Sequence, residues 1–325
     1  MNSLILIRPV KSTSSASPRT ATRNSNGSCS FATIFLGQIL DGNSLQRLCV
    51  TLERTHLHPS GSPDVLAHTP ANGAIVPQGY HLVYFTPCAY ENQLGPDGSD
   101  AAAFNPPPPF TRRLWVKGSI NWFQPVLRVG DDVEEITKIT RAVAKKGRTG
   151  AGVVLVEVER SLYKSPGGLC LIDRRSWVFS RPYKFPYSPA AVLPESSAPE
   201  YKTEIVDMPD GTRQFVFSPV ALFRFSALTF NAHMIHYNES WATVKEGHIG
   251  TVVHQQLSII NIMDLWRDSL HRGDRGPKFA NLKQLNYRAW LPIYAGERFT
   301  IQILPNDTTK GKDLPAERRL DLNTE

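Results

Sequence analysis

Acidic residues are missing from the first forty positions of this 325-residue chain; the first is Asp41. The same stretch is rich in Ser, Thr and Ala and carries Arg8, Lys11, Arg19 and Arg23. That is the composition of a mitochondrial transit peptide, so residues 1–40 are expected to address the protein to the mitochondrial matrix. The apolar start SLILI is too short for a signal anchor. Those four cations also account for most of the formal charge of +7, leaving a body of only +3. With no basic-aromatic motif beside it, so weak a balance argues against a nucleic-acid partner. Cysteine is scarce: Cys29, Cys49, Cys88 and Cys170 form no CxxC pair. Neither a zinc site nor a disulfide framework is indicated, and no metal or cofactor is expected.

Glycine and proline are absent from 251–270, and Val252, Val253, Leu257, Ile259, Ile260, Ile262, Met263, Leu265 and Trp266 fall on more than one helical face. This predicts a core helix wrapped by other structure. His271 and Arg272 suit its C-terminal end, and Gly273 stops it. Asp264, Arg267 and Asp268 make it too polar to span a membrane. Just before it lies ALTFNAHMIHYNESWATVKEGHIGTVVHQQL, residues 227–257, which holds four of the nine histidines. His233 and His236 sit beside Asn231, Tyr237, Asn238 and Glu239. Here polar, titratable side chains are set against a hydrophobic rod.

Elsewhere the pattern is of strands and breaks. His56 and His58 lie in a turn-rich passage and read as surface loop residues. Four successive prolines, Pro106 to Pro109, place ENQLGPDGSDAAAFNPPPPF in an irregular surface loop. From Arg113 to Tyr163, alternation predicts an antiparallel meander. Prolines and serines accumulate over 181–203, an interdomain linker in character. Phe123-Gln124-Pro125 before Gly130-Asp131 has an echo in Trp290-Leu291-Pro292 before Gly296-Glu297. An aromatic, a proline, a short strand and a Gly-acid turn thus occur once in each half. A duplicated α+β domain follows: 41–180 and 204–308, each a central helix wrapped by an antiparallel sheet, with a polar tail at 309–325. This is a double hot-dog.

RFSALTFNAHMIHYN followed by EGHIGTVVHQQL resembles the hydratase motif of the MaoC-like hydratases and dehydratases. The likeness is to the branch containing mitochondrial 3-hydroxyacyl-thioester dehydratase type 2 and the methylfumaryl/mesaconyl-CoA hydratases. PQGYHLVYF, GPDG, RRLWVKGSINWFQPVLRVGD and YRAWLPIYAGE extend it over about residues 76–304. The resemblance implies a catalytic histidine at His236. The general motif has Asp five residues earlier, where this chain has Asn231, as that branch commonly does. Asn238 and His254-Gln255-Gln256 depart from the branch's Asp and from the family's HGP.

Hydration of an α,β-unsaturated thioester needs a proton carrier, a water holder and a donor to the enolate-like oxygen. His236 fits the first role, its ordinary pKa lying near 6.5. Asn231 can hold water through its amide. Backbone amides at the helix start suit the third, which points to Gly250, Thr251, His254 and Gln255. His233 reads as a packing histidine and His254 as bonded to a carbonyl. Glu239 is expected to face solvent, with Glu246 the other nearby carboxylate; Arg224 and His81 are outsiders.

The expected function is interconversion of (3R)-3-hydroxyacyl and trans-2-enoyl thioesters of CoA or acyl carrier protein, in mitochondrial type II fatty acid synthesis. The first half, lacking an equivalent polar segment, would leave room for an acyl tail. A homodimer is compatible with it. Two alternatives stay open: a branched dicarboxylyl-CoA hydratase, which needs a cation such as Arg224 or Arg288 in its pocket, and a non-catalytic acyl-thioester binder.

Overall fold

The computed structural model describes residues 2–7, 33–59, 62–86, 88–100, 104–110, 112–147, 150–181, 202–271, 282–289, 291–305 and 318–323. Eleven strands, β1 (Asn2–Ile7), β2 (Thr33–Ile39), β3 (Arg112–Trp122), β4 (Asp132–Lys146), β5 (Gly152–Ser165), β6 (Gly168–Ser180), β7 (Glu204–Asp207), β8 (Arg213–Val216), β9 (Gln284–Arg288), β10 (Phe299–Pro305) and β11 (Arg318–Asn323), form one sheet. Their order is β2-β4-β5-β6-β3-β9-β11-β1-β10-β8-β7. Of the expected meander, β4 and β5 pair as neighbours and β6 continues them, but β3 lies beyond β6 and pairs with β9, joining the two groups of strands. Most of the segment read as a linker, 182–201, lies outside the described residues. The sheet also reaches into both predicted terminal segments. β2 pairs with β4, and β1 with β10 and β11.

Among the described residues three α-helices pack against this sheet: α1 (Gly42–Thr51), α2 (Pro219–Leu228) and α3 (Gln255–His271). Helix α3 is the predicted core rod. Leu257, Ile259, Ile260, Ile262, Met263 and Leu265 are fully buried although they point in several directions. At about 1.5 Å per residue it runs roughly 25 Å through the apolar core. Shortening one of these side chains, as in Ile260→Ala, would cost about 2–5 kcal/mol through lost contacts and a cavity. Its start is later than the sequence suggested. The amides of Val252 and Val253 are already taken by the carbonyls of Ile235 and Ile293, an extended arrangement that holds off the first helical turn until Gln255.

The duplication is visible in the hydrogen bonds. Val76 N–H donates to Leu127 O and Val253 N–H to Ile293 O; Val129 N–H donates to Ala74 O and Ala295 N–H to Thr251 O. Gly130 and Gly296, both at positive φ, donate to Leu40 O and Phe217 O, immediately before the caps of α1 and α2. Asp131 and Glu297 each accept the amide three residues back, at Arg128 and Tyr294. The copies diverge where α3 begins. The residues aligned with it, after Val76, form a 3-10 turn, Tyr80–Val83. That turn is entered through Gly79 at positive φ and packs against Met263.

An ionic knot fastens the turn to the rod. Buried Asp264 accepts from Tyr80 Oη at 3.0 Å and pairs with Arg267, while Arg54 grips Asp268 with two bonds of 2.8 and 2.9 Å. Arg213 reaches Asp268 at 2.9 Å from β8.

Candidate active site

Helix α2 ends at Leu228 and Phe230 turns back at positive φ, which brings the following polar segment against the start of α3. His236 is buried in a short 3-10 turn, Met234–His236. Its Nδ1 lies 2.7 Å from Val252 O. A carbonyl can only accept, so Nδ1 carries the proton and Nε2 presents a lone pair. Burial, then the neighbouring His233, drives its pKa down to about 3, and the ring is neutral at physiological pH.

His254, the residue before α3, stacks on His236 with centroids 3.7 Å apart. Its Nε2 meets Ser226 Oγ at 2.9 Å rather than a backbone carbonyl, and its Nδ1 is buried without a partner. The side chain is wholly enclosed, so it braces the site instead of facing a ligand. Asn231 is half-buried; its Oδ1 accepts the His233 amide at 3.1 Å, leaving its two Nδ2 protons for another acceptor. Thr251 is buried and tied through its carbonyl to Ala295, whereas Gly250 has open space where a Cβ would stand. With α3 beginning at Gln255, the unpaired amides of its first turn are those of Gln255 onward, not of Gly250 and Thr251.

His233 is more than a packing residue. Its Nε2 is 3.2 Å from Asp97 Oδ2, and its ring meets His236 edge-on at 5.5 Å. Asp97 comes from the loop that sequence placed on the surface, yet it is buried. Its carbonyl accepts the Met234 amide, and its Oδ1 accepts both Ser99 donors. Burial opposes its charge, but His233 and Ser99 outweigh that and hold its pKa down to about 2. Glu246 lies in the same cluster; burial and then Asp97 raise its pKa to about 8, and it accepts from Trp241 Nε1 at 3.3 Å. The sequence signal for Asp97 was the GPDG turn: Gly98 has φ +76, and a Cβ there would meet Ala232 O at 2.1 Å.

Three named candidates are not in this cluster. Glu239 is exposed, as expected; Arg224 is exposed on α2; His81 is buried elsewhere, edge-on to Trp122. Around His81 the interior of the first copy carries a belt of polar side chains beside its apolar core. Thr137, Arg160 and Asp173 lie in register across β4, β5 and β6, with Arg175 two pairs further along. Arg175 pairs with Asp173, and Arg160 with Glu135 at 2.6 Å. Trp115 Nε1, Tyr287 Oη, Asp173 Oδ1 and both His81 nitrogens are buried without partners. Beyond this belt Val156, Val158, Trp177 and Phe179 form a small apolar cluster. Arg113, opposite Phe179 in the β3–β6 register, lies over Trp177 and donates to Asp100 O at 3.2 Å.

A duplicated hot-dog frame with a buried, neutral histidine at the head of its core helix defines a class, the hydro-lyases of acyl thioesters. Within it, the sequence matches the family Hydroxyacyl-thioester dehydratase type 2 over residues 79–295, and the chain belongs to that family. It is 32% identical over 249 residues to the mesaconyl-C(4)-CoA hydratase of Chloroflexus aurantiacus, covering 76% of this chain and 79% of that one. It is 24% identical over 247 residues to the mitochondrial hydroxyacyl-thioester dehydratase type 2 of Schizosaccharomyces pombe, covering 69% and 76%. In fold it is similar to a Mycobacterium tuberculosis protein described as a double hotdog, with a TM-score of 0.51, 11% identity and coverage of 91% and 96%.

Proposed function

We propose that this chain interconverts 3-hydroxyacyl and trans-2-enoyl thioesters with His236 as its single proton carrier. The observation that carries this is the tautomer: Val252 O fixes the proton on Nδ1, so the free lone pair is on Nε2. A water on Nε2 loses its proton to the ring as its oxygen bonds to Cβ of the enoyl group. The same nitrogen then returns that proton to Cα, and dehydration is the reverse. Asn231 orients the water through Nδ2, and the Gln255 amide, at the positive end of α3, meets the thioester oxygen as charge builds on it.

For the substrate, the family and the Schizosaccharomyces relative support hydroxyacyl thioesters of mitochondrial type II fatty acid synthesis, carried by CoA or acyl carrier protein. The leader's composition agrees with that compartment, the matrix included. A specific observation favours the second reading, a short dicarboxylyl-CoA. The polar belt offers charged and uncapped polar groups where a long tail needs a dry wall, and Arg113 is a guanidinium that forms no ion pair among the described residues and donates to Asp100 O. Arg224 and Arg288 are exposed and do not serve that purpose. The relative acting on mesaconyl-C(4)-CoA points the same way.

Rates of the leaderless protein on crotonyl-CoA, a long enoyl-CoA and mesaconyl-CoA test this. Fatty acid synthesis predicts preference for the long substrate, and the second reading predicts preference for the dicarboxylic one. Binding without turnover on all three would leave an acyl-thioester-binding protein.

A further inference from the structure

Formation of an imidazolium at His236 is an expensive step in this site. The ring is buried, stacked on one imidazole and edge-on to another. The other groups bearing on it are His248 and Arg113, which are neutral or positive. Burying a new cation among such groups calls for a counter-charge nearby. Two carboxylates adjoin His233, the ring edge-on to His236, and only one is ionised at neutral pH: Glu246 holds its proton, whereas Asp97 does not.

We infer that Asp97, donated by the loop before β3, is the counter-charge of the His236 site and acts on it through His233. Asp97 is fixed on both sides. Ser99 holds Oδ1, the Met234 amide holds its carbonyl, and Gly98 lets the loop approach Ala232 without a side chain between them. Oδ2 is left to grip His233 Nε2 at 3.2 Å, and the His233 ring stands edge-on to His236. A carboxylate there fixes the tautomer and orientation of His233 and lowers the energy of a positive charge on its neighbour. Asp97 neither gains nor loses a proton: the one taken from water travels to His236 Nε2 and on to Cα. It is a positioning residue, and its effect belongs to the transition state more than to substrate binding.

This rests on the hydratase reading, and the experiment separates the two. Hydration of crotonyl-CoA is followed for the wild-type chain and the variants Asp97→Asn, His233→Gln and the double variant across pH 5–9. Asp97→Asn is expected to lower kcat by roughly 10- to 100-fold with little change in KM, the scale of a misplaced partner to an acid-base group. It is also expected to move the acid limb of kcat/KM to lower pH, because removing the negative charge makes His236 harder to protonate. The groups facing Asp97 and His236 that share in this shift are His233, His248, His254, Glu246, Arg112 and Arg113. Because the carboxylate acts through the His233 ring, the double variant is expected to lose no more than either single one. An Asp97→Asn enzyme with unchanged kcat and acid limb, or losses that multiply in the double variant, would overturn the inference while leaving the hydratase intact. A wild-type chain inert on every enoyl thioester would overturn both. Should Asp97→Asn not fold, His233→Gln carries the same expected fall in kcat, and wild-type kcat in that variant would count against the inference.

Discussion

His58 and His236 hold the same place in the two copies of the fold: His58 Nε2 lies 2.9 Å from Ile75 O, and His236 Nδ1 lies 2.7 Å from Val252 O. Ile75 and Val252 are equivalent, each making an isolated bridge to a residue of the matching turn, Arg128 or Tyr294. Their surroundings decide what each histidine does. Asn231 lies near His236; at the corresponding backbone position the first copy has Arg54, since Asn231 N–H donates to Ser226 O and Arg54 N–H to Cys49 O. His58→Ala is therefore expected to leave kcat unchanged while lowering stability slightly. Steady-state hydration beside a thermal melt checks this.

Arg54 has become structural. It binds Asp268 and faces Asp264, both at the core helix. Arg54→Ala leaves Asp264 to Arg267 and Tyr80 and Asp268 to Arg213, and removes two charge-assisted hydrogen bonds, an expected loss of about 1.5–3 kcal/mol. Urea denaturation should show this as a lower midpoint, with activity per folded molecule preserved.

Gly98 is the hinge on which Asp97 reaches the second copy. Alanine there meets Ala232 O and takes on an unfavourable backbone conformation, expected to cost about 1–3 kcal/mol. Because the loop must move away from Ala232, Gly98→Ala should also reduce kcat, unlike a purely destabilising core variant such as Ile260→Ala assayed below its melting point.

Stability is expected to fall on both sides of neutrality. His81 and His236 have folded pKa values lowered to about 3 by burial, and His254 is lowered well below normal by burial and by His236. Unfolded, each takes up a proton near pH 6.5; folded, each refuses it. Their contribution is present above pH 6.5 and is lost as pH falls towards 3, at up to about 1.4 kcal/mol per group and pH unit. Glu246 has the opposite sign: its folded pKa, about 8, is above its unfolded value. Its contribution is full below about pH 4.5 and is lost as pH rises through 8. Glu246→Gln should raise the melting temperature at pH 8.5 by on the order of 2–4 °C, with little effect at pH 4. Melts across pH 4–9 test both signs.

Much of the architecture was legible because it is written in periodicity and turn chemistry. The rod at α3 announced itself by apolar residues on every face, and Gly130-Asp131 and Gly296-Glu297 marked the duplicated turns. The conformation of PQGYHLVYF was not legible: its apolar and aromatic residues suit helix and strand alike, and the 3-10 turn is seen in the Leu82 and Tyr84 amides bonded to the carbonyls of Gly79 and His81. The start of α3 was misplaced because Val252 and Val253 have a helical pattern but surrender their amides to Ile235 and Ile293. His236 stood out locally, since its neighbours in the chain are its neighbours in space. Asp97 did not, because it lies 139 positions before His236 in a glycine- and proline-rich loop, whose GPDG turn is visible but does not reveal that the loop folds inward. The polar belt was hidden for the same reason: Arg160 and Asp173 meet only once strand register is known.

The most direct test is hydration of crotonyl-CoA by a folded His236→Ala variant. A loss of roughly 10²–10⁴-fold in turnover, equivalent to about 3–5.5 kcal/mol of barrier, is expected with an unchanged circular dichroism spectrum. Turnover close to wild type in that folded variant would contradict the assignment of His236 as the proton carrier.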